Sequence, residues 1–447
     1  MNVANAETLV FQSALGSHLF VTDGSRIYDL DADSAAALAS ADAPSMDSTL
    51  RRLGIADGAR YISTEAPPLP DLHALSLTIA QACNMGCGYC YADEGRFGGA
   101  ARMMPLETAM AGVDRLIMES QPGSDIVLGF MGGEPLLNRS VVHDTTRYAH
   151  KAAQRAGRRI RFSITTNGTL IAPEDAALFA AHPFNVAISI DGDRTENDRV
   201  RRMHNGRGSY DRIVAGLATL NRHGRPKHLS ARVTVTPKTA ELARTLDHII
   251  GLGFDSVGFA AVLTSPNPAL ALKTTDFGRF LEEMIACGRI ALGRLMAGER
   301  YPFSNFETAL HEIHRGTHRP YPCGAGAGYL SANADGGLFA CHRLVDDPAF
   351  AMGDLSSGSD RARRSQHLKH SHVDRMAPCN GCWARYLCGG GCYQEVAKRG
   401  RVGCDYIRGW LAFCLASYAE LSQVRPEYFD GAPASIAAGL RAHTLAE

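Results

Sequence analysis

Between residues 72 and 265, short apolar runs alternate with stretches whose apolar residues fall at helical spacing. The runs ALSLTIA (74–80), IVLGFMG (126–132), IRFSITT (160–166), NVAISID (185–191), LSARVTV (229–235) and FDSVGFAAV (254–262) predict strands. PLETAMAGVDRLIMES and SYDRIVAGLATLNRHG predict two of the helices between them. Six β–α units in a row imply a parallel sheet with helices outside it. Six are too few for a closed eight-stranded barrel, so an open, partial one fits. Ligands of such sheets bind at the carboxyl ends of the strands.

The flanks read differently. Residues 1–70 carry short strand-like runs (TLVFQ, SHLFVTD, SRIYDLD) and then two helical stretches, ADSAAALAS and MDSTLRRLG. This small α+β module ends at the Pro-rich STEAPPLPD (63–71). Residues 266–320 read as a helical bridge. A last unit, 321–425, holds a hairpin (YLSANADGGLFAC), a Gly/Cys-rich loop and a final helix, with 426–447 as a tail.

Composition narrows the class. Lys and Arg number 46 and Asp and Glu 46, so no net field favours nucleic acid or an anionic membrane. MNVANAETLVFQ lacks the basic start and apolar run of an export signal, and no apolar segment reaches the length needed to span a bilayer. The reading is cytoplasmic, where thiols stay reduced. Clustered cysteines then point to metal or redox chemistry.

Twelve cysteines form a tight trio at 83, 87 and 90 and a dense C-terminal group, with a long gap between. The trio, CNMGCGYC, lies just past the first strand. GGE (132–134) ends the second, TNG (166–168) the third and SIDG (189–192) the fourth. Four unusual loops thus converge on one face, where a cofactor belongs. Zinc wants four ligands, commonly from two separated C-x2-C knuckles. A [4Fe–4S] cluster takes one thiolate per ligated iron, so three leave an iron open.

C-x3-C-x2-C after the first strand, with Tyr89 before the third cysteine, is similar to the signature of radical S-adenosylmethionine (SAM) enzymes. By that resemblance Cys83, Cys87 and Cys90 ligate a [4Fe–4S] cluster, and the methionine end of SAM fills the open iron. An electron passed to the sulfonium then yields a 5′-deoxyadenosyl radical, which abstracts hydrogen; the protein positions the cofactor and excludes side reactions. The resemblance further implies that Gly132 and Gly133 admit close backbone approach and that Glu134 accepts from the SAM ammonium. Asn167 and Ser189 resemble ribose- and carboxylate-side contacts, with Arg201 a further carboxylate clamp and Tyr89 part of the same pocket. The plainer reading of Asn167 and Ser189 is that they merely finish strands.

In the C-terminal unit, Cys323 is followed by Gly336 and Cys341, then by CNGCWARYLCGGGC (379, 382, 388, 392) and Cys404. This resembles the SPASM extension, which carries two auxiliary Fe–S clusters, although Cys379 and Cys382 alone would also suit zinc. Cys414 lies inside an apolar helical stripe with Ile407, Trp410, Leu411, Leu415 and Tyr418, and Cys287 shares a helical face with Phe280, Met284 and Ala291; both read as core residues. Ten cysteines remain for three clusters. By the family's interleaved pattern Cys379, Cys382, Cys388 and Cys404 complete one auxiliary site, and Cys323, Cys341 and Cys392 hold the other, one thiolate short. The loop from Cys392 to Cys404 is short for the family, which keeps Cys414 open as the alternative last ligand.

The fold class is thus α/β: a partial (β/α)6 TIM-like barrel with a small N-terminal α+β module and a C-terminal Fe–S (SPASM) domain. CWARYLCGGGCYQE, with YPCGAG and ACHR upstream, is similar to peptide maturases that join cysteine sulfur to carbon, of the six-cysteine peptide and quinohemoprotein amine dehydrogenase maturation types. The expected activity is a thioether cross-link in a ribosomally made peptide. The alternatives are a C–C cross-link, formylglycine formation or a non-catalytic Fe–S or zinc protein. Expected partners are a leader-bearing precursor peptide, bound by strand addition to the N-terminal module, and a small flavodoxin- or ferredoxin-like reductant. His311, His314 and His318, and His367, His370 and His372, read as solvated surface, and DRARRSQHLKHSH (360–372) as an exposed helix.

Overall fold

The computed structural model describes residues 3–4, 7–40, 43–52, 54–55, 61–239 and 241–430. Residues 431–447 of the expected tail lie outside them. The N-terminal module is an antiparallel sheet in the order β1 (Val3–Ala4), β2 (Thr8–Ser13), β3 (Gly16–Val21), β4 (Arg26–Leu30), followed by α1 (Ala32–Ser40) and α2 (Ala43–Arg52). Strand alternation gives the sheet two apolar faces. Val10, Leu19 and Val21 pack with Leu38 and Leu50, while Leu9, Phe11 and Phe20 join the main core. That second face docks on the C-terminal unit: the Phe20 ring meets Trp383 edge-on at 6.0 Å, Thr22 Oγ1 donates to the Trp383 carbonyl at 3.0 Å, and Arg385 pairs with Glu7 at 2.8 Å.

Six parallel strands follow: β5 (Ala74–Gln81), β7 (Asp125–Gly132), β8 (Arg159–Thr166), β9 (Phe184–Ser189), β10 (His228–Val235) and β11 (Ser256–Ala261), adjacent in space in that order. Each register is consistent with period-two patterning. In β8, Ile160, Phe162 and Ile164 are buried, whereas Arg161, Ser163 and Thr165 alternate with them and stay partly open. The covering helices are α3 (Leu106–Met118), α4 (Arg139–Arg155), α5 (Pro173–Ala181), α6 (Arg194–Val200), α7 (Tyr210–His223) and α8 (Leu242–Gly251). A short β6 (Arg102–Met103) pairs with the end of β5. The open, partial barrel read from the sequence is the barrel observed.

The sheet does not stop at β5. Strand β12 (Tyr329–Ala332) runs parallel to β5 on its free side, and β13 (Gly337–Phe339), β14 (Ala351–Asp354) and β15 (Gly358–Ser359) continue it antiparallel. The C-terminal hairpin is therefore continuous with the barrel. Helices α9 (Phe277–Met296) and α10 (Ser304–His314) bridge to it; α11 (Arg361–Ser371), α12 (Arg385–Cys388), α13 (Tyr393–Arg399) and α14 (Cys404–Val424) complete it.

Two sequence expectations need correction here. The 360–372 segment is helical but only partly exposed: Arg364 is fully buried and donates to the Pro70 and Ala327 carbonyls, while Leu368 and Ser371 face inward. Nor are all the histidines solvated. His314, although stacked on Phe429 at 4.5 Å, is exposed as expected, but His311 stacks on Tyr428 at 5.2 Å, His367 meets Tyr393 at 4.7 Å, and His372 is buried. Aromatic neighbours from distant segments, invisible to local patterning, cover them.

Helices α9 and α14 approach closely through two glycines. A Cβ at Gly288 would lie 2.4 Å from the Phe413 ring, and one at Gly409 would lie 2.4 Å from Leu281. Cys287 and Cys414, both fully buried, sit in this core. Gly288→Ala should overpack the contact and cost about 1–3 kcal/mol, read as an earlier urea-unfolding midpoint. An unchanged midpoint would mean that Phe413 swings aside freely.

Candidate functional site

The first cysteine loop leaves β5 after Gln81 and is tied down from the far side of the barrel. Gly86 N donates to Arg202 O at 2.9 Å, Gly88 N to Val200 O at 3.0 Å, and Cys90 N to Cys87 O at 3.1 Å. Beneath it lies a buried network. Arg201 Nη1 donates to Tyr89 Oη at 2.7 Å, and Tyr89 Oη donates to Asp191 Oδ2 at 2.5 Å. Asp191 Oδ1 in turn accepts from Thr234 N at 2.8 Å. Burial raises the pKa of both Asp191 and Tyr89, and the Arg201 guanidinium opposes the rise in each. Three barrel segments are thus cross-linked under the loop, and Arg201 already has a partner there, while its buried Nε has none.

The GGE loop works through contacts the sequence did not reveal. A Cβ at Gly132 would sit 2.3 Å from Ala80 O, and one at Gly133 would sit 2.3 Å from Ala82 O. The close approach that requires glycine is therefore to the chain leaving β5, which sets where the cysteine loop starts. Glu134 is fully buried, and its carboxylate accepts from Thr166 Oγ1 and Asn167 N, both at 2.7 Å, and from Leu136 N at 3.0 Å. Through these three donors the Glu134 side chain locks the TNG loop to the GGE loop. Burial raises its pKa, and the bonds from Asn167 and Thr166 counter that. Asn167 Nδ2 points at the cysteine loop, 2.8 Å from Asn84 Oδ1 and 3.8 Å from Cys83 Sγ. Ser189 ends β9, partly open, in register with Arg232.

The ten candidate ligands stand in three electrostatically coupled groups. Cys83 is coupled to Cys87 and Cys90; Cys341 to Cys323 and Cys392; and Cys388 to Cys379, Cys382 and Cys404. Cys414 is coupled to none of them and is raised by burial alone. Left-handed Gly389, Gly390 and Gly391 turn the chain between the two C-terminal groups, and Gly389 lies against the Tyr321–Pro322 backbone leading to Cys323. Burial pushes the thiols of Cys83 and Cys341 up to about 12. Such thiols ionise only when a cation takes the proton's place, so the donor sets fit iron–sulfur clusters. Among the described residues, no three or more His, Cys, Asp or Glu side chains close on one ion-sized point.

Several polar residues between the first and second groups escaped the sequence reading. The Arg343 guanidinium lies 4.7 Å over the Tyr91 ring, pairs with Glu395 at 2.7 Å and reaches Cys392 Sγ at 3.5 Å. Tyr329 Oη bridges Ser76 Oγ at 2.5 Å and His342 Nδ1 at 2.9 Å. Burial, with Arg343 and Arg232 nearby, pushes the His342 pKa down to about 3. One local signal was present: Arg232 is the lone charge in LSARVTV.

Residues 77–249 match the radical SAM superfamily. This chain carries a radical SAM domain. The chain is an enzyme, and the reading of a non-catalytic metal-binding protein falls away. A serine-type anaerobic sulfatase-maturating enzyme of Klebsiella aerogenes is 26% identical over 363 residues, which covers 76% of this chain and 84% of that one. Among solved structures, anSMEcpe with bound AdoMet has a TM-score of 0.68 at 18% identity, over 79% of this chain and 96% of that chain. Streptococcus suis SuiB bound to precursor peptide SuiA has a TM-score of 0.53 at 14% identity, over 90% of this chain and 98% of that chain. Both share this fold.

Two predictions follow from the buried groups. Glu134→Gln keeps the volume but turns an amide NH2 toward at least one of the three donors, which share two oxygens in the native carboxylate, and should cost about 1–3 kcal/mol and weaken SAM retention. Thermal melting and equilibrium dialysis would show both losses, and unaltered dialysis would remove the link to the cofactor. Unfolded thiols ionise near 9.0, whereas folded Cys83, Cys287 and Cys341 do so near 12. The folded state therefore holds more protons across that window, so stability falls as pH rises above about 9. Urea midpoints of iron-free, reduced protein should drop between pH 8 and pH 10. A flat profile would contradict the burial of these thiols.

Proposed function

We propose that this enzyme is a radical peptide maturase that installs an intrapeptide cysteine-to-carbon thioether in a ribosomally made substrate. The carrying observation is the group of Cys323, Cys341 and Cys392, three thiols in a coupled set beside the barrel mouth. It is one thiolate short of the four that close a [4Fe–4S] site and so has room for a substrate thiol. The loops of this group and of the first trio meet where Arg343 covers Tyr91.

In this reading Cys83, Cys87 and Cys90 hold the first of three [4Fe–4S] clusters, and Cys379, Cys382, Cys388 and Cys404 hold the last. With SAM bound, the first cluster supplies the radical chemistry that removes a hydrogen atom. This chain's residues do the positioning. Asn167 presents its amide to the cysteine loop and Ser189 its hydroxyl to the cavity, while Gly132, Gly133 and Glu134 fix the loop beneath them. Tyr89 and Arg201 hold the floor, with the free Arg201 Nε available to a carboxylate. Residues 1–70 act as the peptide-recognition module, 72–265 as the barrel, 266–320 as the bridge and 321–425 as the SPASM domain. Among the described residues β4 pairs with β3 alone, and its other edge is the one to which a leader adds a strand in this reading. SuiB, whose fold this chain shares, was solved with its precursor peptide. A flavodoxin- or ferredoxin-like protein supplies electrons.

A second reading is favoured by the curated relatives: the Klebsiella aerogenes protein is named a serine-type anaerobic sulfatase-maturating enzyme, and for this chain the corresponding reaction is oxidation of a serine or cysteine to formylglycine. Co-expression with a cysteine-bearing peptide encoded beside the gene separates the two. The thioether reading expects a loss of two hydrogens and one thiol protected from alkylation. Cys323→Ala should abolish that product while 5′-deoxyadenosine still forms. Mass loss with every thiol still free, or formylglycine in a sulfatase-derived peptide, would decide against it.

A further inference from the structure

Arg232 is a charge without a counterpart. It stands on β10 between Ser189 of β9 and Gly258 of β11, on the inward-facing side of the barrel. Solvent reaches its side chain, yet surrounding protein desolvates it enough to depress its pKa. Tyr91 is 40% exposed, with the Arg343 guanidinium 4.7 Å over its ring. Together they mark a wet recess inside the barrel rather than outer surface.

The charges around this recess are positive. Arg343 stands close enough to disfavour the Arg232 cation. Glu395 is committed to Arg343, with which it pairs at 2.7 Å. Arg232 makes no ion pair or hydrogen bond with any described residue. A guanidinium held in such a place, with its fork of donors unused, is built to take a planar anion from outside the chain.

We propose that Arg232 anchors a carboxylate of the substrate, an Asp or Glu side chain beside the residue that is modified. The recess lies between Tyr91, which follows the first trio, and His342 and Arg343, which follow Cys341. An acidic neighbour held there places the adjacent residue between the first two cysteine groups. This specificity rests on the peptide-maturase reading above and names the peptide's chemistry.

The test uses reconstituted, oxidised, SAM-loaded holoenzyme, so that no turnover occurs. Two probes, N-acetyl-Glu-Cys-amide and N-acetyl-Gln-Cys-amide, are titrated calorimetrically. Wild type should bind the acidic probe about ten-fold more tightly, the value of one charged hydrogen-bonded contact. Arg232→Met should erase the difference and Arg232→Lys keep part of it, both with unchanged iron content. Equal affinities, no binding of either probe, or a preference surviving in Arg232→Met would overturn the proposal. So would an Arg232→Met enzyme that loses SAM instead, because the carboxylate would then be the cofactor's. A natural peptide found without a thioether would overturn the maturase reading and leave the measured ratio standing.

Discussion

Strand β5 is the constraint on which the rest of this structure depends. It pairs in parallel with β7 on one side and with β12 on the other, so it is central to a sheet rather than the edge of a barrel. Its carboxyl end releases the loop of Cys83, Cys87 and Cys90. The hairpin begun by β12 ends at Cys341. The separation of the first two cysteine groups is therefore set by backbone pairing, which is rigid, and not by side-chain packing. Gly132 and Gly133, pressed against the carbonyls of Ala80 and Ala82, fix how the chain leaves that strand.

Around this frame the protein buries acids, thiols and phenols and lets them answer one another. Glu134 is satisfied by three donors from two loops, and Asp191 by a tyrosine and a backbone amide. Each carboxylate joins segments far apart in sequence, and removing any one donor leaves a buried acceptor short. The cysteine groups are different. Burial raises the thiol pKa of Cys83, Cys323 and Cys341, so the apo protein holds those three protonated until a metal centre takes the proton's place. Folding and cluster assembly are in that sense linked, with the protein tolerating an unfavourable electrostatic arrangement that the clusters relieve.

Much of this was written in the chain. The six apolar runs, the loops CNMGCGYC, GGE, TNG and SIDG, and the cysteine spacings determine a partial barrel, a face for the cofactor and the candidate ligands, because strand periodicity and ligand spacing are local properties. Even the assignment of Cys287 and Cys414 to the core followed from helical stripes, and both are fully buried. What the sequence did not hold was anything that depends on which distant segments meet. The continuity of the hairpin with β5, the capture of Glu134 by the TNG loop, the aromatic cover over His311 and His367 and the burial of Arg364 are products of tertiary packing. So is the recess of Arg232, since a single arginine in a strand reads as a solvated charge until the barrel closes around it. Local patterns specify elements and chemistry; only the folded chain decides which charges are paired and which are left waiting.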